Sequence, residues 1–176
     1  MPLSTGEKLK PVNFTDQSGK QWSLPDEAKG EKAAIFFLRH LGCSLCKEKI
    51  AELKDSYSRF EEKSVRLIAV VQSTQKRIEQ FSAKESIPFS LVADREKRLY
   101  DAFEVARGGF KEFTAPAVLK ASIRATLKGH MHGKFEGDEL QVPAAFLVSA
   151  AGEIIHAHYG KDISDFGDVA EILARA

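Results

Sequence analysis

Residues 33–63 read AAIFFLRHLGCSLCKEKIAELKDSYSRFEEK. Ala33–Leu38 is a continuous apolar run, the pattern of a strand buried on both faces. From Cys43 to about Lys63 the period changes. Cys46, Ile50, Leu53, Tyr57 and Phe60 recur at steps of four, three, four and three, which places them on one stripe of one helix. A buried strand thus runs into an amphipathic helix, and two cysteines sit at the junction.

The flanking chain repeats this alternation. Residues 11–24 hold two short apolar-bearing segments around Asp16-Gln17-Ser18-Gly19, which predicts an N-terminal β-hairpin. Val65–Val71 reads as a second buried strand, Thr74–Lys84 as a helix, Phe89–Val92 as a short strand and Arg95–Phe103 as another helix. Ala144–Val148 and Glu153–His158 flank Ala151-Gly152 as a second hairpin, and Asp162–Arg175 closes the chain as a helix. Residues 104–141 interrupt the pattern. They contain a helical stretch, Thr114–Lys128, with Thr114 as N-cap, Pro116 in the first turn and Gly129 past the end. The order predicts a single α/β domain over residues 1–176, with helices on both faces of a sheet and an insertion at about 104–141.

Bulk properties narrow the function. The 176 residues suffice for one well-buried core. With 26 basic and 25 acidic residues the net charge is +1, so no global drive toward nucleic acid or membrane is expected. Met1–Lys10 has no apolar core of a secretory signal, and the longest apolar runs are too short to span a bilayer. A cytoplasmic protein is the expectation.

The two cysteines, two residues apart, form no disulfide framework. A Cys-x-x-Cys in such a chain points to redox chemistry or to a metal. A structural zinc needs four ligands. Here the other candidates are His130, His132 and His40, and His130-x-His132 lacks the usual spacer, so no metal or other cofactor is expected. The placement favours redox use. Unpaired N–H groups and partial positive charge at a helix N-terminus stabilise a thiolate. Such thiols titrate between ~3.5 and ~7.5 instead of ~8.5. Cys46 lies on the apolar stripe, and Cys43 sits one turn earlier at the helix mouth, where solvent reaches. Cys43 is therefore the expected attacking thiolate and Cys46 the resolving thiol.

The stretch Phe36-Phe37-Leu38-Arg39-His40-Leu41-Gly42-Cys43-Ser44-Leu45-Cys46-Lys47, then Ala51-Glu52-Leu53, and Gly137-Asp138-Glu139-Leu140-Gln141 before Pro143, resembles the thioredoxin superfamily. The nearer likeness is to its peroxiredoxin-like branch, related to alkyl hydroperoxide reductase and thiol-specific antioxidant proteins, in the group that includes prostamide/prostaglandin F synthase. The resemblance covers most of residues 10–175. It implies a thioredoxin-like fold with a central mixed sheet, and Pro143 as a cis-proline facing the cysteine pair. The backbone of Val142 would then align an incoming disulfide or thiol. Two departures stand out. Laid on the peroxiredoxin pattern Pro-x-x-x-Thr-x-x-Cys, the three positions become Arg39, Cys43 and Cys46, which makes Cys46 the peroxidatic equivalent. The acid that thioredoxins bury in the preceding strand is missing from Ile35–Leu38, while Arg39 and His40 lie nearby, where a cation favours a thiolate.

The activity implied is reduction of a hydroperoxide or endoperoxide through a Cys43/Cys46 dithiol–disulfide cycle, supported by Arg39, His40 and Gly42. An external thiol reductant such as a thioredoxin or glutathione system would recycle it, and a homodimer is left open. The alternatives are a thioredoxin-like disulfide reductase and a non-catalytic redox-responsive binding module. In the insertion, Lys120, Arg124 and Lys128 line one helix face beside the apolar row Leu119, Ile123 and Leu127. The pattern predicts a solvated amphipathic helix covering the core. The basic row would also suit an anionic substrate or an acidic redox partner.

Overall fold

The computed structural model describes residues 2–25 and 30–176. Strands β1 (Val12–Thr15) and β2 (Gln21–Leu24) form the expected antiparallel hairpin. The five-stranded sheet is built from β3 (Lys32–Phe37), β4 (Val65–Val71), β5 (Ser90–Ala93), β6 (Ala144–Val148) and β7 (Ile154–Tyr159), in the order β5-β4-β3-β6-β7. The β3–β4 and β4–β5 pairs are parallel, and β3–β6 and β6–β7 are antiparallel, so the sheet is mixed.

Side chains of β3 alternate across this sheet. Ala34, Phe36 and Leu38 face a core completed by α1 (Ser44–Asp55), α2 (Tyr57–Glu62), α3 (Gln75–Glu85), α6 (Pro116–Leu127) and α7 (Val169–Arg175). Ala33, Ile35 and Phe37 face a second core under the hairpin and α4 (Arg98–Ala102). Both faces are covered, which is why the run Ala33–Leu38 is apolar throughout. In the second core Phe37, Tyr100, Phe103, Phe146 and Tyr159 interlock, with ring centroids 5.0–5.8 Å apart. We expect Phe146→Ala to cost about 3–5 kcal/mol in urea unfolding, from lost burial and the cavity left behind.

Several elements depart from the sequence reading. The helix expected over Cys43–Lys63 is two helices, α1 and α2, divided at Ser56. Asp55 and Ser56 are weak helix formers, and the break still leaves Phe60 fully buried. Thr114 does not cap the insertion helix. It ends a short helix, α5 (Phe110–Thr114), and Ala115 precedes α6 with ψ 138°. The ring of Pro116 disfavours helical geometry in the residue before it. The closing helix begins at Val169, not Asp162. Gly167 stands at φ +77°, which ends any earlier helical course, and Asp168 caps α7 by accepting from Ala170 N–H at 2.8 Å.

The Val142–Pro143 bond is not cis. Among the described residues the cis peptide bond is Leu24–Pro25. The chain enters β6 already extended. The Pro143 carbonyl accepts from Gly160 N–H at 2.9 Å, and the Gln141 side-chain amide donates to the Val142 carbonyl at 3.2 Å.

Candidate active site

The chain leaves the sheet at the end of β3 and crosses to α1 through residues 38–43. Leu38 N–H donates to the Val70 carbonyl at 2.9 Å, and Gln72 N–H donates to the Arg39 carbonyl at 2.8 Å. Leu41 N–H donates to Ser73 Oγ at 3.0 Å, and the Tyr100 hydroxyl donates to the Leu38 carbonyl from the other core. This fixed crossover delivers Cys43 to the N-cap of α1. Its backbone is extended (φ −75°, ψ 125°), and its Sγ accepts from Cys46 N–H at 3.3 Å. The sulfur therefore caps the positive end of a twelve-residue helix.

Arg39 supplies a second donor. Its Nη2 lies 2.8 Å from Cys43 Sγ. Its Nη1 donates to the Glu139 carbonyl at 2.6 Å and to the Glu139 carboxylate at 3.0 Å. The other carboxylate oxygen of Glu139 is bonded to His40 Nε2, and His40 Nδ1 accepts from Gly42 N–H at 3.1 Å. Residues 39–43 and Glu139 thus form a closed circuit around one sulfur.

The circuit sets the two thiols apart. Burial pushes Cys43 up, but the Cys46 hydrogen bond, the Arg39 charge and the Cys46 N–H outweigh it and bring the thiol down to about 6. Burial pushes Cys46 well above its ordinary value, and the neighbouring Cys43 thiolate adds to that rise. Cys46 Sγ accepts from Arg39 N–H at 3.3 Å.

The expected solvent exposure of Cys43 is not found. Both cysteines are free and 0 % exposed. The loop after α6 lies across the crossover. Gly133 N–H donates to the Gly42 carbonyl at 2.7 Å, and Lys47 Nζ donates to the Met131 carbonyl at 2.9 Å. A Cβ on Gly42 would stand 1.9 Å from the Lys134 carbonyl oxygen, so only glycine permits this approach. We expect Gly42→Ala to displace the loop. Melting should fall by several degrees, and Cys43 should react faster with an aromatic disulfide reagent, read at 412 nm.

The motif Gly137–Gln141 anchors that loop. Gln72 Oε1 accepts from Asp138 N–H at 2.8 Å. The Asp138 carboxylate pairs with Lys97 at 3.0 Å and with Arg107 at 2.8 Å. Gln141, buried, donates to the Ala106 carbonyl at 2.8 Å. Sequence reasoning assigned no role to Glu139, Gln72 or Ser73. The signal available was a buried-strand exit carrying Arg39 and His40, polar groups that bond carboxylates, beside a strand with no acid of its own. A buried Arg39 guanidinium needs a carboxylate from elsewhere in the chain.

A groove of about 550 Å³ opens beside Arg39, Ser44 and Leu45, with Phe113, Leu119 and Phe135 among its walls. Neither Val142 nor Pro143 is in its lining. A cleft of about 780 Å³ beside α1 is polar; like the groove, it holds neither cysteine in its lining. Its Glu48 is already paired with Arg124 and Lys128, and its His158 with Asp165.

His40, His132 and Glu139 converge closely enough to hold a metal ion. The hydrogen bonds oppose that use. Gly42 N–H points at His40 Nδ1, so the proton is on Nε2, the nitrogen facing the cluster. Metal-bound histidines present the reverse arrangement, donating through the outer nitrogen.

A mixed sheet, a dithiol at the N-terminus of the following helix and a split between the two thiols define a thioredoxin-like dithiol oxidoreductase. Residues 5–157 match the AhpC/TSA family, and the chain belongs to it. It is thus a thiol-dependent peroxidase or oxidoreductase. The chain is 25% identical to peroxiredoxin-like 2C of Bos taurus, covering 98% of this chain and 78% of that protein. It is also 25% identical to prostamide/prostaglandin F synthase of Salmo salar, over 88% of this chain and 80% of that protein. Among solved structures, peroxidoxin BcpB of Mycobacterium tuberculosis superposes with a TM-score of 0.71 at 14% identity, covering 97% and 94% of the two chains. Peroxiredoxin Q of Xanthomonas campestris gives 0.68 at 20% identity, covering 93% and 88%. No helix of the described residues is long and apolar enough to cross a membrane.

Proposed function

We propose that the Cys43 thiolate attacks the O–O bond of a hydroperoxide or endoperoxide whose body lies in the apolar groove. The carrying observation is Cys43 Sγ held between the α1 N-terminus and Arg39 Nη2, with the protonated Cys46 thiol next to it. Attack forms an S–O bond and breaks O–O. For a hydroperoxide the departing alkoxide takes a proton and leaves as the alcohol, and Cys43 becomes a sulfenic acid. Cys46 then attacks that sulfur, forms the Cys43–Cys46 disulfide and releases water; with an endoperoxide one oxygen leaves as an alcohol, the other stays on Cys43 as a sulfenate ester, and Cys46 displaces it to give a diol. Arg39 Nε is buried with no hydrogen-bond partner, on the same guanidinium that reaches Cys43 Sγ, and a substrate that displaces its cover would meet it as a donor. The cycle calls for no cofactor, only an external thiol reductant of thioredoxin or glutathione type, and the reducing cytoplasm suits it. The endoperoxide arm draws support from relatives named prostamide/prostaglandin F synthase in salmon and frog.

Stopped-flow oxidation of the reduced protein tests the reading. We expect an aryl-alkyl hydroperoxide to react faster than hydrogen peroxide, because Phe113, Leu119 and Phe135 offer it an apolar surface. Sluggish reaction with both, together with rapid exchange against a small disulfide, would replace peroxide reduction with disulfide reduction. The same split between a low and a high thiol serves that exchange.

A further inference from the structure

Helix α6 is apolar on two faces. Val118, Ala121 and Ala125 are buried, and their small side chains let α6 lie close against α1. The row Leu119, Ile123 and Leu127, expected to cover the core, points the other way and is 66%, 54% and 83% exposed. Steps of four keep the row on one side of the helix over roughly 12 Å. At its first turn it lines, with Phe113 and Phe135, the groove that reaches Arg39 and Ser44. An exposed apolar patch of this kind marks an interaction surface.

Charge says what covers it. Residues 107–134 carry six basic side chains against Glu112 alone, net +5 in a chain of net +1, which leaves −4 for the other 148 residues. On α6 the cations Lys120, Arg124 and Lys128 run along one flank of the apolar row, and Ser122 and Thr126 lie along the other. Glu48 takes Arg124 at 2.9 Å and Lys128 at 3.0 Å, and the flank keeps an excess of positive charge. An exposed apolar row edged by lysine and arginine is the pattern of an interfacial helix. An antiparallel two-fold pairing of two such rows would set the basic flank against its own copy.

We propose that this face docks on an anionic lipid surface, with Leu119, Ile123 and Leu127 in the boundary between headgroups and acyl chains and the basic flank among the headgroups. The groove beside Arg39 and Ser44 then opens toward the bilayer, where a lipid-borne peroxide would enter it on the way to Cys43. That delivery rests on the function proposed above; the docking does not.

The test is co-sedimentation of the full chain with peroxide-free vesicles, of phosphatidylcholine alone or with about a third phosphatidylglycerol. We expect affinity for the anionic vesicles to exceed that for the neutral ones on the order of twenty- to thirtyfold, roughly fivefold for each of the two positive charges the flank keeps after Glu48, and to weaken with salt. The double variant Ile123→Glu/Leu127→Glu should bind anionic vesicles on the order of a hundredfold more weakly. Its circular dichroism and its turnover of a small water-soluble hydroperoxide should be unchanged. Equal binding of variant and wild type, indifference to lipid charge, or no vesicle binding would overturn the proposal. So would a dimer, seen by light scattering, that the double variant splits, since the row would then belong to a second copy. Vesicle binding without peroxide turnover would support the docking and reject the reaction.

Discussion

Replacing Cys43 by serine should lower the rate of oxidation by a hydroperoxide by a factor on the order of 10³ or more, the scale on which nucleophiles are lost. Cys46→Ser should leave that first step within a few-fold of wild type and halt the protein as a Cys43 sulfenic acid, which a dimedone adduct and mass spectrometry would locate. The two cysteines must differ this much because their surroundings do. Cys43 has Arg39 Nη2 at 2.8 Å and a helix N-terminus beneath it, and its thiol sits at about 6. Cys46 is buried and pushed well above its ordinary value. At neutral pH only the first is a thiolate, and only the thiolate attacks. The family pattern overlaid on the sequence points to Cys46 instead, so the experiment discriminates. A sulfenic acid on Cys46 in the Cys43→Ser protein, formed at the wild-type rate, would reverse the assignment.

The second large effect is expected at Arg39. In Arg39→Ala the Cys43 thiol loses its cation and one donor and moves up from about 6 toward its ordinary value near 9. Each unit above neutral removes about tenfold of the thiolate, so peroxide reactivity at pH 7 should fall by more than about tenfold and recover as pH is raised. The sign is that of a depressed acid. In the wild type the thiolate is present above about pH 6 and lost below it, so the rate should rise through pH 6 and level off. The reduced fold should likewise gain stability between about pH 6 and 9, where only the unfolded chain keeps that proton. Arg39→Lys keeps the charge without the forked geometry and should restore part of the shift. Glu139→Gln, which loosens the clamp on Arg39, should move the profile in the same direction by less. Thiolate absorbance at 240 nm reads all three. An unchanged profile in Arg39→Ala would leave the Cys46 thiol and the helix end as the activators and remove Arg39 from the mechanism.

Much of the sheet was legible because its strands are short, apolar and buried on both faces. Ala33–Leu38, Val65–Val71 and Ala144–Val148 are read directly from composition. The boundaries that failed lie at capping residues. Thr114 competes with the constraint of Pro116, and Asp162 with Gly167 at positive φ. The outward row of α6 also misled, because periodicity marks a stripe without saying which stripe meets the core. Ala121 and Ala125 won that contact by being small.

By itself the sequence determined the class of chemistry. Two cysteines spaced to start a helix after a buried strand place one sulfur at a helix N-terminus, and that is a local property of about fifteen residues. Only the tertiary structure decided the rest. It carries Glu139, a hundred residues from Arg39, across to clamp it against Cys43, closes the loop after α6 over Gly42, and leaves Val142–Pro143 in the trans form. These outcomes depend on contacts between segments distant in the chain. Local periodicity and capping signals carry no information about them, because both are exhausted within a few turns of helix or strand.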